Sequence, residues 1–436
     1  MELSGFPYVE LGFDADGTMR NPADVEAVAA ATAPADVTDA LVLVHGWNTD
    51  AASARALYRK LAEQIAALGP LPGTVLVGVL WPSTRFADDT PAGGAASAEP
   101  SNTALADRLA EFTTALDHPD AAAELTAAAE AIDTLDSAES AQRRFVDAVR
   151  EALRVATAGA VVADEDTPAA LFTLDGAELL ERLARPAQLS RPTADERGGA
   201  ASIGGTPAGA AAGLGIFGGG IRNAARNLLD ATTYYLMKER AGTVGVRGLA
   251  PVLTQLRAAR PGLRLHLVGH SFGARLVSAA ATGPAGAAPV PVASMTLLQG
   301  AFSHFSFAQN WKPGADGAFR GCLTGHRIDG PVLVTHTAND RAVGIAYALA
   351  SRIAGQVASA VGGPDDLYGG IGRNGALRTP EAGTGRLLDI DGVYTLRPGK
   401  VHNLLADAFI SEHSDVTGPQ VAHALRSAVA VGAGVG

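Results

Sequence analysis

Residues 263–273 read Leu263-Arg264-Leu265-His266-Leu267-Val268-Gly269-His270-Ser271-Phe272-Gly273. An apolar run of strand length enters a glycine-flanked serine with no gap. Ala274 to Ala281 then continues as a helical stretch. A strand that turns at once into a helix is the unit of a parallel sheet covered by helices. The same unit recurs outward in both directions. Upstream, Ala40 to Val44 is an apolar strand running into His45-Gly46-Trp47-Asn48, and the stretch Ala51 to Leu68 has Leu57, Leu61, Ile65 and Leu68 at helical spacing. A second strand, Thr74 to Leu80, leads into Trp81-Pro82-Ser83. Downstream, Val292 to Leu298 and Pro331 to His336 are further strands, and a last helix starts near Pro419, a residue suited to the first helical position. These alternations imply an α/β fold with a doubly wound, mostly parallel sheet.

Between these parts the character changes. From about residue 88 to 230 the chain is rich in Ala, Glu and Asp, with helical stretches at Ala104–Ala115, Ala121–Leu135, Ala141–Ala156 and Gly176–Leu183. It closes in a Gly-rich run, Gly198 to Gly220, carrying Leu214, Ile216 and Phe217. Strand-like alternation is almost absent there. The expected organisation is therefore a core formed by residues 1–87 and 231–436, interrupted by a large, mostly helical insertion at 88–230. That insertion reads equally as a lid with a mobile apolar flap or as helices joined by a disordered linker.

Gly269-His270-Ser271-Phe272-Gly273 has the spacing of a nucleophile elbow. The bare pattern carries little in a chain with 51 glycines; its position between an apolar strand and a helix carries much more. The turn needs a positive φ at the serine and close approach of strand and helix, which side chains at 269 and 273 would block. It lifts the Ser271 hydroxyl to a helix N-terminus, where the dipole favours negative charge.

On these residues the sequence resembles the α/β-hydrolase superfamily of serine hydrolases, esterase/lipase type, over about Leu41–Phe86 and Thr232–Val431. The resemblance implies an α/β-hydrolase fold and a carboxylic ester hydrolase working through an acyl-enzyme. Leu41-Val42-Leu43-Val44-His45-Gly46 is similar to the strand and His-Gly turn before the family's oxyanion loop. Trp47 and Phe272 would then each supply one backbone N–H to the oxyanion, with His45 bracing the turn. The family order Ser, Asp, His assigns the acid to Asp340, at the end of Val332-Leu333-Val334-Thr335-His336-Thr337-Ala338-Asn339-Asp340. The competing role for Asp340 is a helix cap ahead of Val343; its rivals Asp329 and Asp316 do not sit just past a strand. The base falls to His413, in the polar loop Ser411-Glu412-His413-Ser414-Asp415 before the terminal helix. His402, in a possible strand, is the alternative base, and His423 lies within the helix. His270 is expected to pack away from Ser271.

Phe302, Phe305, Phe307 and Trp311 cluster after the strand ending at Leu298, in a chain with only 5% aromatic residues. They read equally as a substrate pocket or as core under a long loop. A net charge of −11 argues against nucleic acid and anionic lipid as partners. The single cysteine, Cys322, allows no internal disulfide or Cys-based metal site, and the chemistry requires no metal or cofactor. Met1 to Pro7 lacks the basic, apolar pattern of a signal peptide, and prolines 284, 289 and 291 break the longest uncharged stretch. A cytoplasmic protein acting on a small acyl substrate, without stable membrane insertion, is expected; no sequence feature sets its oligomeric state. A thioesterase, peptidase or acyltransferase would use the same triad, and a non-catalytic binding protein of this fold is the rival from another class.

Overall fold

The computed structural model describes residues 1–83, 99–162, 165–184, 220–355, 363–364 and 366–434. Most of the expected Gly-rich run, with Leu214, Ile216 and Phe217, lies outside them. Nine strands form one sheet: β1 (Glu2–Leu3), β2 (Phe6–Gly12), β3 (Asp39–Val44), β4 (Thr74–Leu80), β5 (Arg264–His270), β6 (Ser294–Leu298), β7 (Val332–His336), β8 (Ala382–Arg386) and β9 (Val401–Leu405). Their spatial order is β1-β2-β4-β3-β5-β6-β7-β9-β8. Only the β1–β2 pair is antiparallel. β3, β4 and β6 are buried at every position. That is why they read as unbroken apolar runs: helices cover both faces of a parallel sheet.

The two faces hold separate apolar layers. On one side, helices Ala51–Ala67 and Pro419–Gly432 bury Tyr58, Leu61, Ile65, Val421 and Leu425. On the other side, Ala23–Thr32, Ile221–Thr243, Ala250–Ala259 and Phe272–Thr282 join a larger layer with the helices that follow β4.

The sheet is wider than the sequence reading. The first strand was expected at Ala40, yet Phe6–Gly12 pairs in parallel with β4, Tyr8 opposite Leu76. Pro7 and Glu10 interrupt its apolar pattern, which hides a strand that is buried at Phe6, Tyr8, Leu11 and Gly12. β8 is an exposed edge of Ala, Gly, Thr and Arg, with no hydrophobic periodicity at all. The stretch 121–135 is three short pieces, Pro119–Glu124, Thr126–Ala131 and a turn at Ile132–Thr134, and not one helix.

The expected boundary at residue 230 falls inside a helix. Ile221–Thr243 passes through a π-helical turn, Val244–Leu249, directly into Ala250–Ala259. Gly245 is required at that turn, because a Cβ there would sit 2.4 Å from the Leu276 carbonyl oxygen. The fully buried Arg275 of Phe272–Thr282 donates to the Lys238 carbonyl at 2.9 Å and to Glu239 at 3.0 Å. The long helix is thus fastened at Lys238, Glu239 and Gly245 to the helix that follows Ser271.

At the amino ends of the strands, Asp39 is buried and receives Thr38 Oγ1 (2.6 Å), Arg264 Nε (2.7 Å) and Nη2 (2.6 Å), with His266 Nε2 at 2.9 Å. His266 Nδ1 lies 2.7 Å from Ser294 Oγ, so one imidazole ties β3, β5 and β6 together. Burial pushes the Asp39 pKa up, but the His266, Arg264 and Thr38 hydrogen bonds outweigh it and leave the pKa well below the ordinary carboxylate value. A depressed folded pKa stabilises the protein fully above the unfolded value and loses that contribution as pH falls toward the folded one. Asp39→Asn should cost roughly 3 kcal/mol at neutral pH, and the gap from wild type should narrow below about pH 4. Urea unfolding from pH 7 to pH 3 measures both.

Candidate active site

The order of the sheet determines where its chemistry gathers. β4 lies on one side of β3 and β5 on the other, so the connections leaving β3 and β5 diverge. In open α/β sheets the crevice beyond the carboxyl ends at such a switch point receives ligands. His45-Gly46-Trp47 follows β3, and Ser271 follows β5.

Ser271 has φ 57° and ψ −121°, a backbone conformation that side chains rarely adopt and that costs of order 1–3 kcal/mol. The packing around it imposes this. A Cβ at Gly269 would lie 2.3 Å from the Gly273 oxygen. One at Gly273 would lie 2.4 Å from the Val44 oxygen and 2.5 Å from that of His45, and one at Gly46 would lie 2.6 Å from Ser271 Cβ. Three glycines therefore bring two strand ends and a helix start into direct backbone contact. Ser271 N–H donates to the Leu298 carbonyl (3.0 Å), and the Ser271 carbonyl accepts from Ala274 (3.1 Å) and Ala301 (3.2 Å).

His413 Nε2 lies 2.9 Å from Ser271 Oγ, and His413 Nδ1 lies 2.8 Å from Asp340 Oδ2. All three side chains are buried. Asp340 makes its two contacts with different oxygens: Oδ1 accepts from Val343 N–H at 3.0 Å, capping helix Arg341–Ile353, while Oδ2 faces the imidazole. The loops carrying acid and imidazole are tied together, since Asn339 Nδ2 donates to the Ile410 carbonyl at 2.9 Å and Thr337 Oγ1 to Asp407 at 2.6 Å.

The other candidates lie elsewhere. His402 sits on β9, where its Nε2 accepts from Arg397 N–H at 3.1 Å. His423 bonds the Gly392 carbonyl at 2.7 Å. Asp316 accepts from Asn310 N–H at 2.8 Å, and Asp329 belongs to the turn before β7.

His45 braces its turn: its Nε2 accepts from Trp81 N–H at 3.3 Å, its ring stacks on Trp81, and burial holds its pKa down at about 4. His270 does more than pack. Its Nε2 lies 2.9 Å from the His413 carbonyl oxygen, so the neutral ring donates there and holds the His413 loop. Burial, aided by the nearby His413, lowers its pKa to about 3. Only the assembled loops reveal that contact.

Phe272 opens its helix, so its N–H has no intrahelical acceptor. The Trp47 ring lies 5.9 Å from that of Phe272 and 6.0 Å from that of Tyr234, a residue of the long helix. The aromatic cluster proposed as a pocket is packed inward. Phe302, Phe305 and Phe307 are buried; Phe302 and Phe307 meet Phe319, and Arg378 covers Phe305. Trp311 is half-buried beside Lys312.

Burial pushes the Cys322 thiol up to about 12. Among the described residues no group of three His, Cys, Asp or Glu side chains is gathered to hold a metal ion, and no helix is long and apolar enough to cross a membrane. No family model, curated protein or solved structure matches this chain.

Overpacking the elbow should be costly. Gly273→Ala is expected to lose about 1–3 kcal/mol of stability in urea melts. Gly46→Ala should push Ser271 off His413, lengthening the 2.9 Å Oγ–Nε2 separation in a crystal structure of the variant.

Proposed function

We propose that this chain is a serine hydrolase of the α/β-hydrolase type, cleaving a carboxylic ester through an acyl-enzyme. The observation that carries the reading is the unbroken chain Ser271 Oγ, His413 and Asp340, with links of 2.9 and 2.8 Å, ending on a hydroxyl held at a helix start in strained backbone. Its position at the topological switch point supports it further.

The geometry supports the following sequence of steps. His413 Nε2 takes the Ser271 proton as Oγ attacks the ester carbonyl. The imidazolium so formed is stabilised by Asp340, which also fixes the tautomer by accepting from Nδ1. Negative charge collects on the carbonyl oxygen, where the Trp47 and Phe272 N–H groups are the donors of the proposed oxyanion hole. A single such donor contributes about 3 kcal/mol. His413 then returns its proton to the departing alcohol. In the second half it takes a proton from water as the water oxygen attacks the acyl carbonyl, then gives that proton to Ser271 Oγ as the acyl C–O bond breaks, releasing the acid and restoring the serine and the neutral imidazole. His270 supports this chemistry indirectly, by holding the backbone of the His413 loop.

A fluorophosphonate probe tests the reading. Labelling of wild type should map to Ser271 by mass spectrometry and vanish in Ser271→Ala and His413→Ala. Ester turnover by either variant should fall at least about 10⁴-fold. Folded wild type that neither labels nor hydrolyses a panel of acyl-chain esters would sink the proposal.

A further inference from the structure

We infer that Gln299 is a positioning residue for the Ser271–His413–Asp340 chain, orienting the acid through a hydrogen bond to the oxygen that faces the imidazole. The inference rests on the hydrolase reading and deepens it.

Gln299 follows β6 directly and has φ 45°, in the left-handed region that favours glycine. Its side chain is fully buried. A buried, polar, non-glycine residue held in strained backbone needs a compensating role, and its hydrogen bonds supply one. Its backbone N–H donates to Thr335 Oγ1 at 3.1 Å, and that hydroxyl returns its proton to Gln299 Oε1 at 2.9 Å. Nε2 donates to Asp340 Oδ2 at 3.2 Å and to the Gly372 carbonyl at 3.0 Å.

This pattern fixes the amide's orientation. A flipped amide would set Oε1 against a carboxylate and a carbonyl, and Nε2 against a hydroxyl already accepting from the backbone. Asp340 Oδ2 therefore receives two N–H donors, Gln299 Nε2 and His413 Nδ1, while Oδ1 receives Val343 N–H. Both carboxylate oxygens are held, so the carboxylate has no freedom to rotate away from the imidazole. The wall behind Gln299 is equally tight, because a Cβ at Gly372 would lie 2.6 Å from its carbonyl carbon. Thr337 N–H donates to that same Gly372 carbonyl at 3.0 Å, which couples the acid turn to the loop that holds the amide.

The test measures fluorophosphonate labelling of Ser271 as a function of probe concentration, with melting temperature recorded beside it. Gln299→Met keeps the length and removes the donor. Its maximal labelling rate should fall about 10- to 100-fold, with the half-saturating probe concentration and the melting temperature little changed. A second pair keeps the test decisive if that variant does not fold. Thr335→Val removes the hydroxyl that orients the amide and should slow labelling similarly, while Thr335→Ser restores the hydroxyl and should stay within about threefold of wild type. Wild-type labelling rates in folded Gln299→Met or folded Thr335→Val overturn the role of Gln299 and leave the hydrolase reading standing. Folded wild type that does not label overturns both.

Discussion

Close backbone contact between the end of β3 and the start of helix Phe272–Thr282 is the constraint on which the rest of this site depends. The carbonyls of Val44 and His45 come so near to Gly273 that no side chain fits between them. Ser271 is thereby forced into positive φ, its hydroxyl stands clear of the sheet, and the first N–H groups of the helix point the same way. Trp47 arrives beside them because β3 ends there, and Tyr58 bonds both the His45 N–H and the Val79 carbonyl to hold that strand end in register with β4. Each neighbour is in place because the glycines let the backbones meet.

Chemical groups alone do not make such a site. Among the described residues, a second Ser, His and Asp constellation lies at the opposite end of the strands. His266 joins Asp39 and Ser294 at separations of 2.9 and 2.7 Å, much like those around His413. Those residues lie within adjacent strands, with ordinary extended backbone at Ser294, no helix start beside the hydroxyl and a guanidinium, Arg264, also on the acid. That set reads as a clamp across three strands. The Ser271 set differs in backbone strain, in its helix N-terminus and in its place at the switch point. These are properties of the fold around the side chains.

Ser271, the strands on either side and the turn at Asp340 were legible because local sequence imposes them: an apolar run meets a glycine-flanked serine, and a second run ends in a polar turn. His413 was legible by its loop and chain order. Gln299 and His270 carried no such signal. Each acts through a contact made by a segment distant in sequence, Gln299 on Asp340 and His270 on the His413 carbonyl. The phenylalanines after β6 left two readings open in the sequence, since an aromatic cluster near a site has the same local pattern whether it faces a cavity or the core.

The sequence by itself determined the parallel α/β core and the glycine-framed turn from strand to helix at Ser271. Buried parallel strands and a glycine-framed turn follow from residue size and polarity over a few positions. Tertiary structure alone decided the pairing of the outlying strands β2 and β8, the continuity of the helix through residue 230, and the approach of His413, and not His402, to within 2.9 Å of Ser271 Oγ. Such strands owe their pairing to a neighbour's free edge, and a hydrogen-bonded chain of side chains depends on distances of about 3 Å between loops far apart in the chain. No local pattern encodes either one.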